Sequence, residues 1–199
     1  SYGIKVFHSF DGFELQSFTS STDTDVVFSY DADWGNADSH FPYVYDYFSE
    51  TLRDRRSFNQ EFRIVSDSAD FLQDSFIEWV VGANYLELKE SNFKKDDGLY
   101  GDPTDPYGPY ASASSSSSRY KSSNISVFGN LDYLLSASLK FSIGLRVEDW
   151  EANYSDSLKE SFNPSDKMSG GKISLIKNMT NDTNMYASLA KGYKQGGFN

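Results

Sequence analysis

Apolar and polar residues alternate with a period of two over much of the chain, which puts odd and even positions on opposite faces of an extended strand. Between Ser138 and Glu148 the odd positions are Leu139, Phe141, Ile143, Leu145 and Val147, while the even ones include Lys140, Ser142, Gly144, Arg146 and Glu148. Asn124 to Tyr133 repeats the split: Ile125, Val127, Gly129, Leu131 and Tyr133 oppose Asn124, Ser126, Asn130 and Asp132, with Phe128 the exception on the polar side. Residues 75–88 set Ile77, Trp79, Val81, Ala83 and Tyr85 against a mixed face carrying Glu78, Gly82 and Asn84. Residues 57–65 set Phe58, Phe62 and Ile64 against Asn59, Glu61 and Arg63, with Gln60 on the apolar side. Met185, Ala187 and Leu189 alternate with Tyr186, Ser188 and Ala190, and weaker strands are drawn at 2–9, 13–30 and 169–177. Helical stripes fail wherever the alternation is clean, so the expectation is eight antiparallel strands and no helix.

The connections alternate in length. Short links are expected at Phe10 to Gly12, Asp67 to Asp74, Leu135 to Ala137 and Met179 to Thr183, and long ones at 32–52, 92–121 and 156–167. Short and long then fall at opposite ends of the strands, as in an up-and-down meander with one plain and one elaborate rim. The long connections are polar and aromatic, and the second runs into a serine tract, Ser114 to Ser118, expected to be flexible. No domain boundary interrupts 1–199.

Composition narrows the chemistry. The chain has no Cys and two His, His8 and His40, which excludes thiolate metal sites and leaves little for a His-based cluster or relay. A net charge of −11 makes nucleic acid a poor partner. No run of about 18 apolar residues exists, so no spanning helix is expected, whereas a spanning strand needs only about 9–11 residues with every second one apolar. The sequence opens at Ser1 without initiator Met or secretory pattern, so any targeting signal is expected to lie outside it or never to have existed. Taken alone, the alternation fits a half-buried soluble sheet as well as a lipid-facing wall. Ionisable residues on one face, aromatics near strand ends (Tyr133, Trp150) and the loop asymmetry fit the wall.

Five segments, in order, resemble the β-barrel domain of TonB-dependent outer-membrane receptors. They are Ser57 to Ser66, with its Gln60-Glu61-Phe62-Arg63 core; Trp79 to Tyr85 (Trp-Val-Val-Gly-Ala-Asn-Tyr); Val127 to Tyr133; Phe141 to Glu148, with Gly144-Leu145-Arg146-Val147-Glu148; and Tyr186 to Asn199, with Lys191-Gly192-Tyr193-Lys194-Gln195-Gly196-Gly197-Phe198-Asn199. The resemblance implies an all-β, antiparallel up-and-down transmembrane barrel of about 22 strands, of which these residues supply about eight. It also implies a plug domain, not recognisable in 1–199, and a TonB box through which TonB, with ExbB and ExbD, drives uptake of a scarce nutrient such as a siderophore, haem, cobalamin or oligosaccharide. The location implied is the outer membrane of a Gram-negative bacterium, in contact with its lipid and lipopolysaccharide. Neither cofactor nor metal nor enzymatic activity is implied. Two rival readings are a complete eight-stranded outer-membrane protein with a structural or passive-pore role and a soluble carbohydrate-binding β-sheet module.

Within this frame Glu61, Arg63, Glu78, Lys140, Arg146 and Glu148 are expected to face the lumen and pair with one another or with the plug. Trp34, Tyr43, Tyr45, Tyr100, Tyr107 and Tyr110, in the long connections, are candidates to contact ligand, since their rings bring rigid amphipathic area. Asp96, Asp97, Asp102 and Asp105 lack the spacing of a calcium loop and read as solvated acid. Arg53, Arg55 and Arg56, with Lys94 and Lys95, read as rim charge able to attract an anion or a lipopolysaccharide phosphate. The Gly170-Gly171 and Gly196-Gly197 pairs read as strand kinks.

Overall fold

The computed structural model describes residues 1–36, 38–66, 77–180 and 182–194. Eight long strands and one two-residue strand form a single antiparallel sheet: β1 (Tyr2–Phe10), β2 (Phe13–Asp31), β3 (Val44–Ser66), β4 (Ile77–Gly101), β5 (Tyr110–Ser136), β6 (Leu139–Asp156), β7 (Ser161–Phe162), β8 (Ser165–Thr180) and β9 (Thr183–Lys191). Neighbours in sequence are neighbours in the sheet from β1 to β6, then β8 and β9, with β7 attached to β6. The eight expected strands are all present. The link at 67–74 and the Gly196-Gly197 pair lie outside the described residues.

Register carries the sequence alternation across the whole sheet. The row Arg63, Gly82, Phe128, Arg146, Gly170 runs straight across β3, β4, β5, β6 and β8. One residue along, the row Ile64, Val81, Gly129, Leu145, Gly171 crosses the opposite face. Because a slip of one residue would swap the two faces, all these strands are locked to a common parity. Phe128 keeps its place on the polar side by lying over Gly82: a Cβ there would sit 2.5 Å from the ring's Cζ and 2.8 Å from the Phe62 carbonyl oxygen. The ring covers the backbone that glycine leaves bare and takes the Arg146 guanidinium on its other side, 5.9 Å from its centroid.

Among the described residues no second layer covers the apolar face. Among the described residues the buried hydrophobics are Trp150, Ala152 and Met168, whereas Leu145 is 64% exposed, Ile125 60%, Phe62 52% and Val127 51%. A water-soluble sheet would bury these side chains, at about 1.5–3 kcal/mol each. Along β4 and β5 the band runs from Ile77 to Tyr85 and from Tyr133 to Ile125, nine residues, which is the length of strand needed to cross a bilayer. Tyr133 stands at its lower edge on the apolar face. Gln60 enters this band already satisfied, accepting from the Thr19 hydroxyl at 2.5 Å and donating to Ser17 Oγ at 3.1 Å.

The strands continue past the band, which corrects the expected loops. The connections at 32–52 and 92–121 shrink to 32–43 and 102–109, because β3, β4 and β5 extend to 23, 25 and 27 residues. The serine tract is part of β5, with Ser114 to Ser118 paired to Asp96 down to Asn92. Polar residues occupy both faces of β5 there, so the apolar contrast that marks a strand is gone while the backbone ladder continues. Trp150 also departs from expectation. It shares parity with Arg146 and Glu148, so it turns to the polar face, where it is 3% exposed and packs with Ala152 and Met168 against Tyr120 and Tyr193.

Candidate functional site

The six ionisable residues Glu61, Arg63, Glu78, Lys140, Arg146 and Glu148 all occupy the polar face, in three groups along it. Glu61 pairs with Arg63 two residues along the same strand edge. The Arg63 guanidinium lies 5.0 Å from the centroid of Phe18, which also receives Lys5 at 5.8 Å. Nearer the short turns, Lys140 reaches Asp132 at 2.6 Å, Asn130 donates to the same carboxylate at 3.0 Å, and Glu78 is the register partner of Asp132.

The third group is the tightest. Glu148, 6% exposed, accepts from Asn124 Nδ2 at 2.7 Å and from the Tyr193 hydroxyl at 3.1 Å, and pairs with Arg146 at 2.9 Å. Arg146 Nε also donates to the Tyr193 oxygen at 3.0 Å. Tyr193 lies beyond the end of β9 and folds back over Gly170, where a Cβ would meet its ring at 2.9 Å. Asn124, Asp132 and Tyr193 are additions to the expected set. Parity alone would have found the first two.

At the far end of the same face the aromatics gather. Tyr45 and Tyr100 are register partners, as are Tyr100 and Tyr110. The Tyr45 ring lies 6.4 Å from Tyr100, 4.9 Å from Tyr47 and 4.8 Å from His40. A second run links Phe28 to Tyr30 at 5.6 Å and Tyr30 to Trp34 at 6.2 Å. Of the expected ligand candidates, Tyr45, Tyr100 and Tyr110 lie together through register, and Trp34 ends the second run. Tyr43 and Tyr107 are exposed in the connections. Tyr45, Tyr100 and Tyr110 sit in strands rather than loops.

The rim is tied down from its loops. Asp33 accepts the Gly35 N–H at 2.8 Å and the Tyr47 N–H at 3.3 Å, and these bonds, led by the first, hold its carboxyl below the usual carboxylate range. Trp34 between them adopts φ 59°, a left-handed conformation unusual for a bulky residue. Asp102 takes the hydroxyl and N–H of Thr104 at 2.7 and 2.8 Å, which lowers its pKa, and Asp105 takes the Tyr107 N–H at 2.9 Å and the Tyr110 hydroxyl at 3.1 Å. Asp96 and Asp97 are strand residues on opposite faces, paired with Lys94 at 3.0 Å and Lys95 at 2.5 Å. The four acids do not converge. The arginine triplet is divided in the same way: Arg53 and Arg55 share Glu90 on the polar face, at 3.6 and 2.5 Å, while Arg56 turns outward to Asp23 and Asp54.

An uncovered apolar band of bilayer height on one face, and a lining of paired ionisable residues on the other, define a wall segment of an outer-membrane β-barrel. The family described as TonB dependent receptor-like, beta-barrel matches residues 4–199, and the chain belongs to it. It is thereby a protein of the Gram-negative outer membrane, which displaces the soluble carbohydrate-binding reading. Among solved structures, it resembles the ferric yersiniabactin uptake receptor FyuA of Yersinia pestis (TM-score 0.67, 16% identity), with 99% of this chain covering 28% of that one. The siderophore receptor PiuA of Acinetobacter baumannii follows (0.64, 14%; 94% of this chain, 31% of that one), as does the unliganded ferric citrate transporter FecA (0.58, 15%; 94% and 25%). At these identities the likeness is one of fold, and the chain spans between a quarter and a third of each receptor. No relative is found by sequence among curated proteins.

Proposed function

We propose that these strands are part of the barrel wall of a transporter that takes up a small nutrient ligand of siderophore type, energised through TonB with ExbB and ExbD. In this reading the polar face lines the lumen, and Glu61, Arg63, Glu78, Lys140, Arg146 and Glu148 border a plug domain supplied by residues beyond 1–199. The observation that carries it is the aromatic rim: Tyr45, Tyr100 and Tyr110 are brought together by strand register at the far end of the polar face, with Trp34 beside them in a connection held by Asp33. Rigid, amphipathic rings suit a planar or chelated solute. The wall carries out no covalent step.

The test uses the native gene product in outer membranes and a panel of ferric siderophores. One member is expected to bind and support TonB-dependent growth under iron limitation. Combining Tyr45→Ala with Tyr100→Ala is expected to weaken that binding by about tenfold or more while leaving barrel assembly intact. TonB-independent, non-saturable passage of small solutes would establish the passive-pore reading instead.

A further inference from the structure

On the outward face, β2, β3 and β4 reverse the polarity of the rest of the wall. Within the apolar band, where β5 and β6 present Ile125, Val127, Leu145 and Val147, the β2–β3 pair presents Ser17, Thr19 and Gln60. Thr19 is the register partner of Gln60, and Ser17 of Phe62, so these polar groups stand at the height of side chains that meet lipid. They hold one another: Thr19 donates to Gln60 Oε1 at 2.5 Å, and Gln60 Nε2 donates to Ser17 Oγ at 3.1 Å. Two capacities stay unused among the described residues. The Ser17 hydroxyl has accepted a bond and still has its proton to give, and the Thr19 oxygen has given its proton and still has lone pairs. Hydrocarbon satisfies neither.

Above the band the reversal runs the other way. Val27, Leu52 and Phe93 form one straight row across β2, β3 and β4, continued by Ser117 of β5. Phe93 lies eight residues beyond Tyr85, about 27 Å along the strand and about 20 Å above the lipid at the usual tilt. The three side chains are 66%, 40% and 45% exposed and line a groove of about 520 Å³. Asp25, Asp54 and Arg119 border it. Asp54 is engaged by Arg56 at 3.5 Å, whereas Asp25 and Arg119, at opposite ends of one row, have no ion-pair partner among the described residues. The border therefore carries both signs. Between the two zones the charges are paired within the chain: Asp23 with Arg56 at 3.4 Å and Lys89 with Glu87 at 2.6 Å.

A surface that is polar where lipid lies and apolar where water lies is adapted to neither solvent. It suits a protein that crosses the same two zones, and a second copy meets this requirement by symmetry. A two-fold axis along the membrane normal keeps every residue at its own height, so hydroxyls face hydroxyls in the bilayer and the apolar row faces its mate above it. Hydroxyls both donate and accept, and small side chains let backbones approach closely within a membrane. We infer that the outward face of β2, β3 and β4 is an interface between two copies of this barrel. The inference rests on the outer-membrane location and not on the transport reading, so its test does not involve uptake.

The native gene product carrying Leu52→Cys is oxidised in isolated outer membranes. A cross-linked species of twice the receptor's mass is expected, and little of it from Val147→Cys, which faces lipid on β6. Native mass spectrometry of the protein extracted in mild detergent reads the dimer directly. Leu52→Arg with Phe93→Arg sets like charges on both sides of the axis and is expected to weaken association about tenfold or more. Ser17→Ala with Thr19→Val is expected to lower the dimer fraction, a loss that a merely lipid-facing pair would not produce. The cysteine comparison keeps the proposal open to refutation even if an arginine variant fails to assemble. A monomeric parent would overturn it, as would a dimer that the arginine pair leaves intact or equal cross-linking from the two cysteines. If the Leu52 cysteine links instead to a different outer-membrane protein, the second-copy assignment falls.

Discussion

Replacing Gly82 by alanine is expected to destabilise the wall by about 1–3 kcal/mol, the range for forcing atoms into a filled space, and replacement by valine by more. The added Cβ would meet Phe128 Cζ at 2.5 Å and Cε2 at 2.9 Å, and the Phe62 carbonyl oxygen at 2.8 Å. The ring can swing away, although it then uncovers strand backbone and leaves Arg146. The carbonyl is part of the β3–β4 ladder and cannot move without breaking register. Measuring the temperature at which the folded form of the native receptor is lost on detergent gels, for G82A, F128A and the double variant, separates the two contributions. Truncating Phe128 should recover the part of the Gly82→Ala penalty that comes from the ring, about 1 kcal/mol, and leave the part that comes from the carbonyl. Full additivity of the two substitutions would show that ring and glycine are not coupled.

The second large effect is expected at Glu148. Its carboxylate is the shared acceptor for Asn124, Arg146 and Tyr193, and Asn124 is itself only 7% exposed. Changing Glu148 to leucine strands a buried amide donor and a guanidinium, a loss of about 2–4 kcal/mol. Part of the Arg146 cost is spared because its side chain is 39% exposed and water can reach it. Glu148→Gln keeps an acceptor and should cost about 1 kcal/mol. The informative readout is local: hydrogen exchange at residues 165–180 and 183–191 should quicken in E148L, because Tyr193 loses its carboxylate acceptor and keeps only the bond from Arg146. Unchanged exchange there would mean that the Arg146 bond and packing against Trp150, Ala152 and Met168 hold Tyr193 without Glu148.

What could be read from the residues and what could not divides at the top of the apolar band. Where one side of a strand meets lipid and the other water, alternation is strong, and it places Arg146 and Glu148, or Val127 and Leu145, on the correct faces without any structure. Above Tyr85 and Ile125 both sides meet water. There Ser114 to Ser118 and Asp96-Asp97 show no contrast, and they resemble a loop although they are ladder-paired strand. The aromatic rim was legible as a set of residue types but not as a place, since Tyr45, Tyr100 and Tyr110 meet only through the register of three strands. Trp150 illustrates the same limit differently: ending β6 at Glu148 made it an edge ring, whereas parity carried two residues further puts it inside. The partners of Tyr193 had no local signal, because they lie 45 and 47 residues away.

The overlong strands have an electrostatic consequence. From Tyr85, at the edge of the band, to Tyr100 in the aromatic rim, β4 rises about 50 Å along its length, or nearly 40 Å above the lipid at the usual tilt. At physiological ionic strength the Debye length is about 8 Å, so the rim stands several screening lengths clear of the phosphate layer. On the uptake reading proposed above, a charged solute would meet the rim before it feels the negative potential of the bilayer, and a change in the charge of the surface lipid would leave that first encounter unaltered.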